Sequence, residues 1–314
     1  CLVNPRACHE TVLSYPPTLT PKRVAVVGAG TAGMMAALVA AQRGHQVVLF
    51  DRANALGGQL NLARRVPGKE EFDGLVDWFA ASIAAAQIEL RLGVAAKVED
   101  LHGFDEVVIA TGVVPRDIAL AGQERALSYI EVLQGAPVGP RVAVIGAGGI
   151  GFDVAEFLVA GPHLLAHDPA AWRREWGVGD PADVAGGLVQ PLPEAPQREV
   201  WLLQRKAEKL GRHLGKTTGW IHRAALAMKG VKMIGGVSYL GIEPEGLRIA
   251  RDGVEQVLPV DTVVLCAGQM PERGLAERLT LAGIAHHVIG GADLAAELDA
   301  KRAIDQGARL AAGF

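Results

Sequence analysis

Cysteine is scarce in this chain. Its 314 residues contain only Cys1, Cys8 and Cys266, which are too few and too widely spaced to form a disulfide framework. No two of them form a CxxC or CxxxxC pair, so the sequence offers no dithiol as an acceptor of electrons. Any redox chemistry of the chain must therefore use another group. Cys266 ends an apolar run, and we expect it to be a buried, inert packing residue.

Long apolar runs and runs of positive charge are also missing. No apolar stretch approaches the roughly 20 residues that cross a bilayer, and the N-terminus lacks the segments of a signal peptide. The formal net charge is −3, and lysine and arginine nowhere cluster into a footprint for nucleic acid or an anionic membrane. We therefore expect a cytoplasmic protein without nucleic-acid or membrane partners, whose ligands are small molecules or other proteins.

Glycine, by contrast, is abundant, with 39 residues, which indicates many tight turns between strands and helices. The length suits about two domains at the usual ~150 residues each. The apolar strand Val24–Val27 leads through a glycine turn into an alanine-rich helix from Thr31 to about Arg43, and a second strand follows at Val47–Phe50. This strand-helix-strand unit predicts a parallel sheet.

The turn of this unit has the sequence of a dinucleotide site. Gly28, Gly30 and Gly33 form GxGxxG: the first glycine permits the turn, the second lets the backbone approach a diphosphate, and the third allows close packing. The diphosphate would lie at the helix N-terminus. Asp51 ends the second strand, where a carboxylate accepts both hydroxyls of an adenosine ribose. A free 2′-hydroxyl is predicted, and hence FAD or NAD rather than NADP.

Three further motifs favour FAD at this first site. Residues 57–59 resemble the glycine turn that follows the second strand in FAD-binding reductases, and residues 107–112 resemble the strand and turn that close over the dinucleotide. Residues 288–293 resemble the C-terminal flavin motif, although an ordinary exposed loop aspartate is the alternative for the last of them. The candidate contacts in these motifs are Gly58, Gln59, Thr111, Gly112, Gly291 and Asp293.

The glycine turn recurs in the second half of the chain, after the apolar strand Val142–Ile145. The glycines of this second fingerprint are Gly146, Gly148, Gly149 and Gly151. The strand that follows, residues 200–203, ends without an acid. Gln204 leaves the ribose hydroxyl unclaimed, and Arg205 and Lys206 supply cations for a 2′-phosphate. NADPH is therefore predicted here; the alternative is that the two cations are simply a solvated strand end.

The whole pattern predicts an α/β fold with two interleaved Rossmann-like dinucleotide-binding domains, each built on a central parallel sheet, as in two-dinucleotide flavoprotein reductases. We assign residues 21–138 and 269–314 to an FAD-binding domain and residues 139–268 to an NADPH-binding domain. Residues 1–20 are polar and contain several prolines, which predicts an extended linker from a missing N-terminal region. A long proline-bearing insert before residue 200 predicts a segment outside the sheet.

Hydride transfer between a nicotinamide and a flavin needs two stacked rings and the exclusion of water, but neither a protein nucleophile nor a metal. We therefore predict no catalytic side chain. His222, in the polar cluster 215–223, is the one residue whose surroundings suggest a catalytic role. A helix N-terminus capped by threonine explains this cluster as well, and we favour a structural role.

Several of these segments together resemble the bacterial NADPH-dependent 2,4-dienoyl-CoA reductases, which are iron-sulfur flavoenzymes of the NADH:flavin oxidoreductase/old yellow enzyme superfamily. The segments are residues 1–10, both glycine fingerprints, residues 203–206, 215–222 and 290–293, and the resemblance covers essentially the whole chain. It implies an N-terminal FMN barrel and a [4Fe-4S] site ahead of the FAD and NADPH domains. Electrons would pass from NADPH through FAD and the cluster to FMN, and on to the 2,4-dienoyl-CoA of unsaturated fatty acid β-oxidation.

The same resemblance implies that this chain is only the electron-input part of such an enzyme, competent by itself as a diaphorase. Cys1 matches the fourth cluster cysteine of the family and is the one expected metal ligand, but the other three are missing here, and Cys1 alone cannot hold a cluster. The FAD contacts that carry over from the family are Ala32, Asp51, Gln59, Lys69 and the backbone near Ala96.

Two other classes of function remain open from the sequence. An amine-dehydrogenase-like or enoate-reductase-like relative would hold ADP or FAD at the first site and act on a different substrate. A non-catalytic nucleotide-binding module would bind NADPH without reducing a flavin. Flavin released on denaturation excludes an ADP-only first site, and anaerobic bleaching by NADPH excludes the non-catalytic module.

Overall fold

The computed structural model describes residues 1–161, 167–296 and 299–314. In chain order its strands are β1 Arg23–Val27, β2 Gln46–Asp51, β3 Glu89–Leu92, β4 Glu106–Ile109, β5 Val113–Pro115, β6 Leu127–Ser128, β7 Arg141–Ile145, β8 Glu199–Leu203, β9 Lys232–Ile234, β10 Ser238–Glu243, β11 Gly246–Arg251, β12 Val254–Leu258, β13 Thr262–Leu265, β14 Gln269–Pro271 and β15 His287–Val288. Its α-helices are α1 Thr31–Gln42, α2 Leu60–Ala63, α3 Glu71–Ala85, α4 Tyr129–Gln134, α5 Gly149–Val159, α6 Pro169–Trp176, α7 Gly219–Met228, α8 Gly274–Leu281 and α9 Ala300–Ala312.

The chain forms two compact units. The first contains residues 1–61, 71–114 and 269–314, and the second contains residues 62–70 and 115–268. Each unit has a five-stranded parallel sheet, which confirms the predicted α/β fold with two Rossmann-like halves.

The sheet of the first unit has the strand order β15-β4-β1-β2-β3. Its central strand β1 is buried from Val24 to Val27, as a continuous apolar run covered on both faces should be. Helix α1 lies against α9 so closely that a Cβ at Gly307 would stand 2.2 Å from the carbonyl oxygen of Ala32. The chain leaves this unit along β5 and re-enters it along β14, and these two strands pair with each other.

The second unit has the parallel sheet β6-β13-β7-β8-β9 and a separate three-stranded sheet β10-β11-β12 with antiparallel pairing. The insert before β8 lies outside both sheets in its described part, and residues 162–166 of it are outside the described residues. Helix α6 of this insert is fixed by an ion pair between Glu175 and Lys229, whose side chains are 7% and 9% exposed.

The boundary between the units differs from the sequence-based assignment. The chain crosses between the units at 61/62, 70/71, 114/115 and 268/269, where only 138/139 and 268/269 were expected. Residues 115–138 belong to the second unit because β6 pairs with β13 and because Tyr129, Val132 and Leu133 of α4 pack into its core. Residues 62–70 also belong there, and Val66 is buried in the same core.

The N-terminal segment is not extended over its whole length. Residues 5–12 form successive turns, Leu13 is buried, and Val3 and Tyr15 pack against the core of the first unit. In the described part of the chain, no helix is long and apolar enough to span a membrane.

Candidate nucleotide-binding sites

The first glycine turn joins β1 to α1, and its geometry admits only glycine at two positions. Gly28 has φ +113°, and a Cβ there would stand 2.2 Å from the carbonyl oxygen of Ala110. A Cβ at Gly33 would stand 1.9 Å from the carbonyl oxygen of Gly28. At Gly30 the space is open to at least 4 Å, and this N-cap residue leaves the first helical turn without a side-chain cap. The backbone N–H groups of that turn are therefore accessible to an anion.

Asp51 is fixed against this turn by the backbone. One carboxylate oxygen, Oδ2, accepts a hydrogen bond of 2.6 Å from the Ala29 N–H, and Oδ1 accepts one of 2.7 Å from the Ala53 N–H. A carboxylate offers about four acceptor positions, so two bonds leave capacity for the hydroxyls of a ribose. The half-buried side chain is thus oriented in advance at the carboxyl end of β2.

A second glycine turn contacts the first. The N–H of Gly57 donates to the carbonyl oxygen of Ala29 at 2.9 Å, and a Cβ at Gly58 would stand 2.9 Å from the Cα of Gly30. The adjacent side chain of Gln59 is exposed. Two stretches of backbone therefore approach each other where the sequence predicts a diphosphate.

The C-terminal motif closes on the same turn. A Cβ at Gly290 would stand 2.9 Å from the Cβ of Ala32, and a Cβ at Gly291 would stand 3.2 Å from the carbonyl carbon of Gly112. The neighbouring hydroxyl of Thr111 donates to the carbonyl oxygen of Glu272 at 2.6 Å. The tertiary structure thus brings together the predicted positions of segments that are far apart in sequence.

Two residues that sequence reasoning missed hold this motif in place. The amide of Gln306 donates to Oδ2 of Asp293 at 2.8 Å and accepts a 2.8 Å bond from the N–H of Gly290. The guanidinium of Arg273 donates to the carbonyl oxygens of Ala292 and Asp293. Both residues lie on helices or turns without a motif, so only their contacts reveal them.

Ala96 and Lys69 are the two remaining residues that were expected to contact FAD. Ala96 follows β3 and packs half-buried against the core of the first unit; nearby, the Val94 N–H donates to the carbonyl oxygen of Asp51 at 2.9 Å. Lys69 belongs to the second unit, where its ammonium group pairs with both carboxylate oxygens of Asp153 at 2.6 and 2.7 Å. Its contact with FAD therefore stays a prediction.

The second glycine turn, between β7 and α5, repeats the geometry of the first. Gly146 has φ +110°, and a Cβ there would stand 2.3 Å from the carbonyl oxygen of Cys266. A Cβ at Gly151 would stand 1.8 Å from the carbonyl oxygen of Gly146. Gly148 and Gly149 have open space, and α5 begins without a side-chain cap. This turn also presents accessible backbone N–H groups to an anion.

A cavity of about 220 Å³ lies beside this second turn. Its lining combines backbone of the glycine turn with polar and cationic side chains, and consists of Ala147, Gly148, Gly149, Gln204, Arg205, Lys206, Glu208, Gly211, Arg212, His213 and Leu214. Arg205 and Lys206 were expected from the sequence, whereas Arg212 and His213 were not. The density of cations between residues 205 and 216 is the signal that could have found them.

His222 pairs with Glu156, with 2.7 Å between Nδ1 and Oε1. The hydrogen bond to Glu156 raises the pKa of His222 despite partial burial. This ion pair joins α7 to α5 and accounts for the histidine as a structural residue. Cys266 is buried, and desolvation strongly raises the pKa of its thiol, so the reactive thiolate is disfavoured.

Cys1 is exposed. Among the described residues, no group of three or more histidine, cysteine, aspartate or glutamate side chains is arranged to hold a metal ion.

Comparisons with known proteins match between half of the chain and nearly all of it. A family model described as pyridine nucleotide-disulphide oxidoreductase covers residues 22–291. A metal reductase from Desulforamulus reducens is 29% identical over 288 residues, which are 89% of this chain and 42% of that protein. An NADH oxidase from Thermoanaerobacter brockii is 39% identical over 168 residues, which are 50% of this chain and 26% of that protein.

Among solved structures, a 2-naphthoyl-CoA reductase in complex with 2-naphthoyl-CoA superposes with a TM-score of 0.82 over 100% of this chain and 43% of its own, at 23% identity. This similarity concerns the fold. The chain thus spans less than half the length of these relatives.

Proposed function

The chain belongs to the pyridine nucleotide-disulphide oxidoreductase family, and from that premise we propose that it holds FAD in the first unit and NADPH in the second and passes hydride from NADPH to FAD. Membership of the family itself implies an oxidoreductase that binds FAD and NAD(P)H. The observation that carries the finer assignment is the difference between two strand ends. Strand β2 ends in Asp51, anchored to its glycine turn, whereas β8 is followed by Gln204 and two cations.

The residues of the first unit fit a dinucleotide with a free ribose. The accessible N–H groups after Gly30 would bind the diphosphate, and the anchored carboxylate of Asp51 would accept the ribose hydroxyls. Thr111, Gly112, Gly291 and Asp293 would border the rest of the cofactor. When bound, FAD supplies a two-electron acceptor for the hydride of a nicotinamide. The protein's part is to position the cofactors and to exclude water, so no side chain is assigned a catalytic role.

The residues of the second unit fit a dinucleotide that carries a 2′-phosphate. The turn at Gly148 and Gly149 would bind the diphosphate, and the cavity beside it has cations where a ribose-binding acid is usual. Arg205 is exposed, and its planar guanidinium is suited to a bidentate contact with a phosphate.

We further propose that this activity is the electron input of a larger enzyme of the 2,4-dienoyl-CoA reductase type, with a [4Fe-4S] cluster and FMN on the part beyond this chain. The motif resemblance supports this proposal, as does the fact that this chain spans 42% and 43% of two long relatives. The name of the solved relative contains a CoA thioester, which is the same substrate class. Cys1 would be one ligand of the cluster, and the reading frame upstream of it should encode three more cysteines.

The proposed transfer of hydride from NADPH to FAD is tested by reconstituting the purified chain with FAD and mixing it anaerobically with NADPH. We expect bleaching of the oxidised flavin band, and steady NADPH oxidation when ferricyanide is added as acceptor. A chain that retains no FAD, or that binds FAD but shows neither bleaching nor turnover, would contradict the proposal. Denaturation of the holoprotein should release FAD and not ADP.

A second candidate for the nicotinamide cofactor is NADH. The relative named NADH oxidase favours it, and so does a carboxylate, Glu208, in the lining of the cavity. The ratio of kcat/KM for NADPH and NADH in the ferricyanide assay separates the two, and we expect NADPH to be preferred.

A further inference from the structure

Among the described residues that line the cavity of the second unit, Glu208 is the only one with a carboxylate. Its Oε2 lies 3.0 Å from Nη1 of Arg212, and its Oε1 lies 3.5 Å from Nε2 of His213 and 3.6 Å from Nζ of Lys206. The Glu208 side chain is 24% exposed, whereas the three partners are 67–76% exposed. The carboxylate therefore lies inside a shell of more exposed basic side chains.

Hydrogen bonds to the backbone of its loop hold Glu208 in this position. The side-chain amide of Gln204 donates to the carbonyl oxygens of Lys206 and Glu208, at 2.9 and 2.6 Å. Gly211 has φ +68°, and a Cβ there would stand 2.8 Å from the ring of Phe152, so this turn requires glycine. The loop from Gln204 to the cations at 212 and 213 is thus fixed at both ends, and the carboxylate is a built part of the cavity.

Resting on the proposed dinucleotide role of this cavity, we propose that Glu208 is a specificity-determining residue that weakens the preference for a 2′-phosphate. Its carboxylate pairs with Lys206, one of the two cations assigned to the 2′-phosphate of NADPH, and with Arg212 and His213 of the same cavity lining. A phosphate must therefore displace the carboxylate from these partners or be bound beside a like charge. A ribose with a free 2′-hydroxyl bears no such cost, since a hydroxyl is neutral.

The balance of charges gives the direction and the size of the effect. Arg205, Lys206 and Arg212 contribute three positive charges to the cavity lining, and Glu208 cancels one of them. Partial desolvation opposes ionisation of Glu208, but the hydrogen bond from Arg212 and the neighbouring cations lower its pKa overall, so it is ionised at neutral pH. Glu208 would not bind the phosphate itself but would compete for its exposed cations, and removing such an indirect interaction between exposed charges changes affinity by roughly fivefold at most.

The test compares adenosine 2′,5′-bisphosphate with adenosine 5′-monophosphate by isothermal titration calorimetry at low ionic strength. We expect Glu208→Gln to bind the bisphosphate about three- to fivefold more tightly than the wild type and to bind the monophosphate unchanged. Glu245→Gln is the matched control, because Glu245 is an exposed carboxylate of the same unit that is absent from the cavity lining. It should leave both affinities unchanged.

The outcomes separate this inference from the proposed function. A wild type that prefers the bisphosphate, together with a Glu208→Gln variant that binds it no better or more weakly, would overturn the role of Glu208 and leave the NADPH assignment intact. A wild type and a Glu208→Gln variant that both bind the two probes equally would overturn the NADPH assignment and this inference with it. Glu208→Ala gives an independent check, and unchanged thermal unfolding of each variant confirms that the loop still folds.

Discussion

A pair of glycine-to-alanine substitutions in the first fingerprint separates packing from ligand binding. Gly33 and Gly30 lie three residues apart, at the start of the same helix. A Cβ at Gly33 would stand 1.9 Å from a backbone carbonyl oxygen, whereas a Cβ at Gly30 would meet no atom within 4 Å. We predict that Gly33→Ala destabilises the fold and that Gly30→Ala leaves the fold intact but weakens FAD binding.

The magnitude at Gly33 follows from two opposing terms. Alanine gains up to about 1 kcal/mol over glycine from helix propensity. The new methyl group needs more than 1 Å of additional separation from the Gly28 carbonyl oxygen, and backbone of β1 and α1 must move to provide it. Overpacking of this kind costs about 1–3 kcal/mol, and more where backbone cannot yield. We expect a net loss of about 2 kcal/mol, or a fall in Tm of roughly 5–8 °C for a domain of this size.

Gly30 has φ −80° and ψ −178°, which alanine adopts without strain. Loss of the glycine cap costs the helix a few tenths of a kcal/mol to about 1 kcal/mol. The methyl group would however occupy the open space through which the backbone approaches a diphosphate, so the Kd for FAD should rise at least roughly tenfold.

The assay is thermal unfolding of the apo chain followed by titration of FAD, monitored by flavin fluorescence. Gly74→Ala is a control, because Gly74 lies in α3, a Cβ there would meet no atom within 4 Å, and the variant should be slightly more stable. Equal Tm values for Gly33→Ala and Gly30→Ala would refute the packing argument. Unchanged FAD affinity in Gly30→Ala would refute the position of the diphosphate.

Three further predictions concern the second unit. Arg205→Ala should raise the KM for NADPH at least roughly tenfold and leave that for NADH nearly unchanged in the ferricyanide assay; equal effects on both would contradict the 2′-phosphate contact. Glu175→Ala should lower the free energy of unfolding by about 3 kcal/mol in urea titrations, because it leaves the buried Lys229 ammonium without its carboxylate. Substitution of both Glu175 and Lys229 by methionine should be nearly neutral. His222 has a pKa raised first of all by its hydrogen bond to Glu156, so the stability it contributes is present below its unfolded pKa of about 6.5 and is lost as pH rises through the higher folded value. His222→Gln should therefore lower the free energy of unfolding by about 1 kcal/mol or less at pH 6 and by a smaller amount at pH 8. The same loss at both pH values would show that the ion pair contributes nothing to stability.

The parts that sequence predicts well are local. The turns at Gly28 and Gly146 each lie between a strand and a helix that are contiguous in the chain. The spacing of three glycines and the apolar pattern beside them are therefore enough to predict the strand, the turn and the helix. The same is true of Asp51, because the end of β2 is fixed by its own apolar run. The lack of an acid directly after β8 is likewise visible in the order of residues alone.

The unit boundary is an example of what local pattern misses. Residues 115–138 precede the second fingerprint, and the sequence-based assignment therefore placed them in the first domain. Their place depends on pairing of β6 with β13, across more than a hundred residues of chain. Lys69 is similar, since its ion pair with Asp153 joins residues that are 84 positions apart.

The sequence by itself therefore determined the α/β class, the two glycine turns and the different acidity of the two strand ends, because each is encoded within a short contiguous segment. Only the tertiary structure decided which groups outside the fingerprints complete each site. It brought Gln306 to Asp293, and it folded Arg212 and His213 back onto Glu208 beside the second turn. The physical reason is that such contacts depend on how helices and loops pack, which no periodicity or spacing along the chain records.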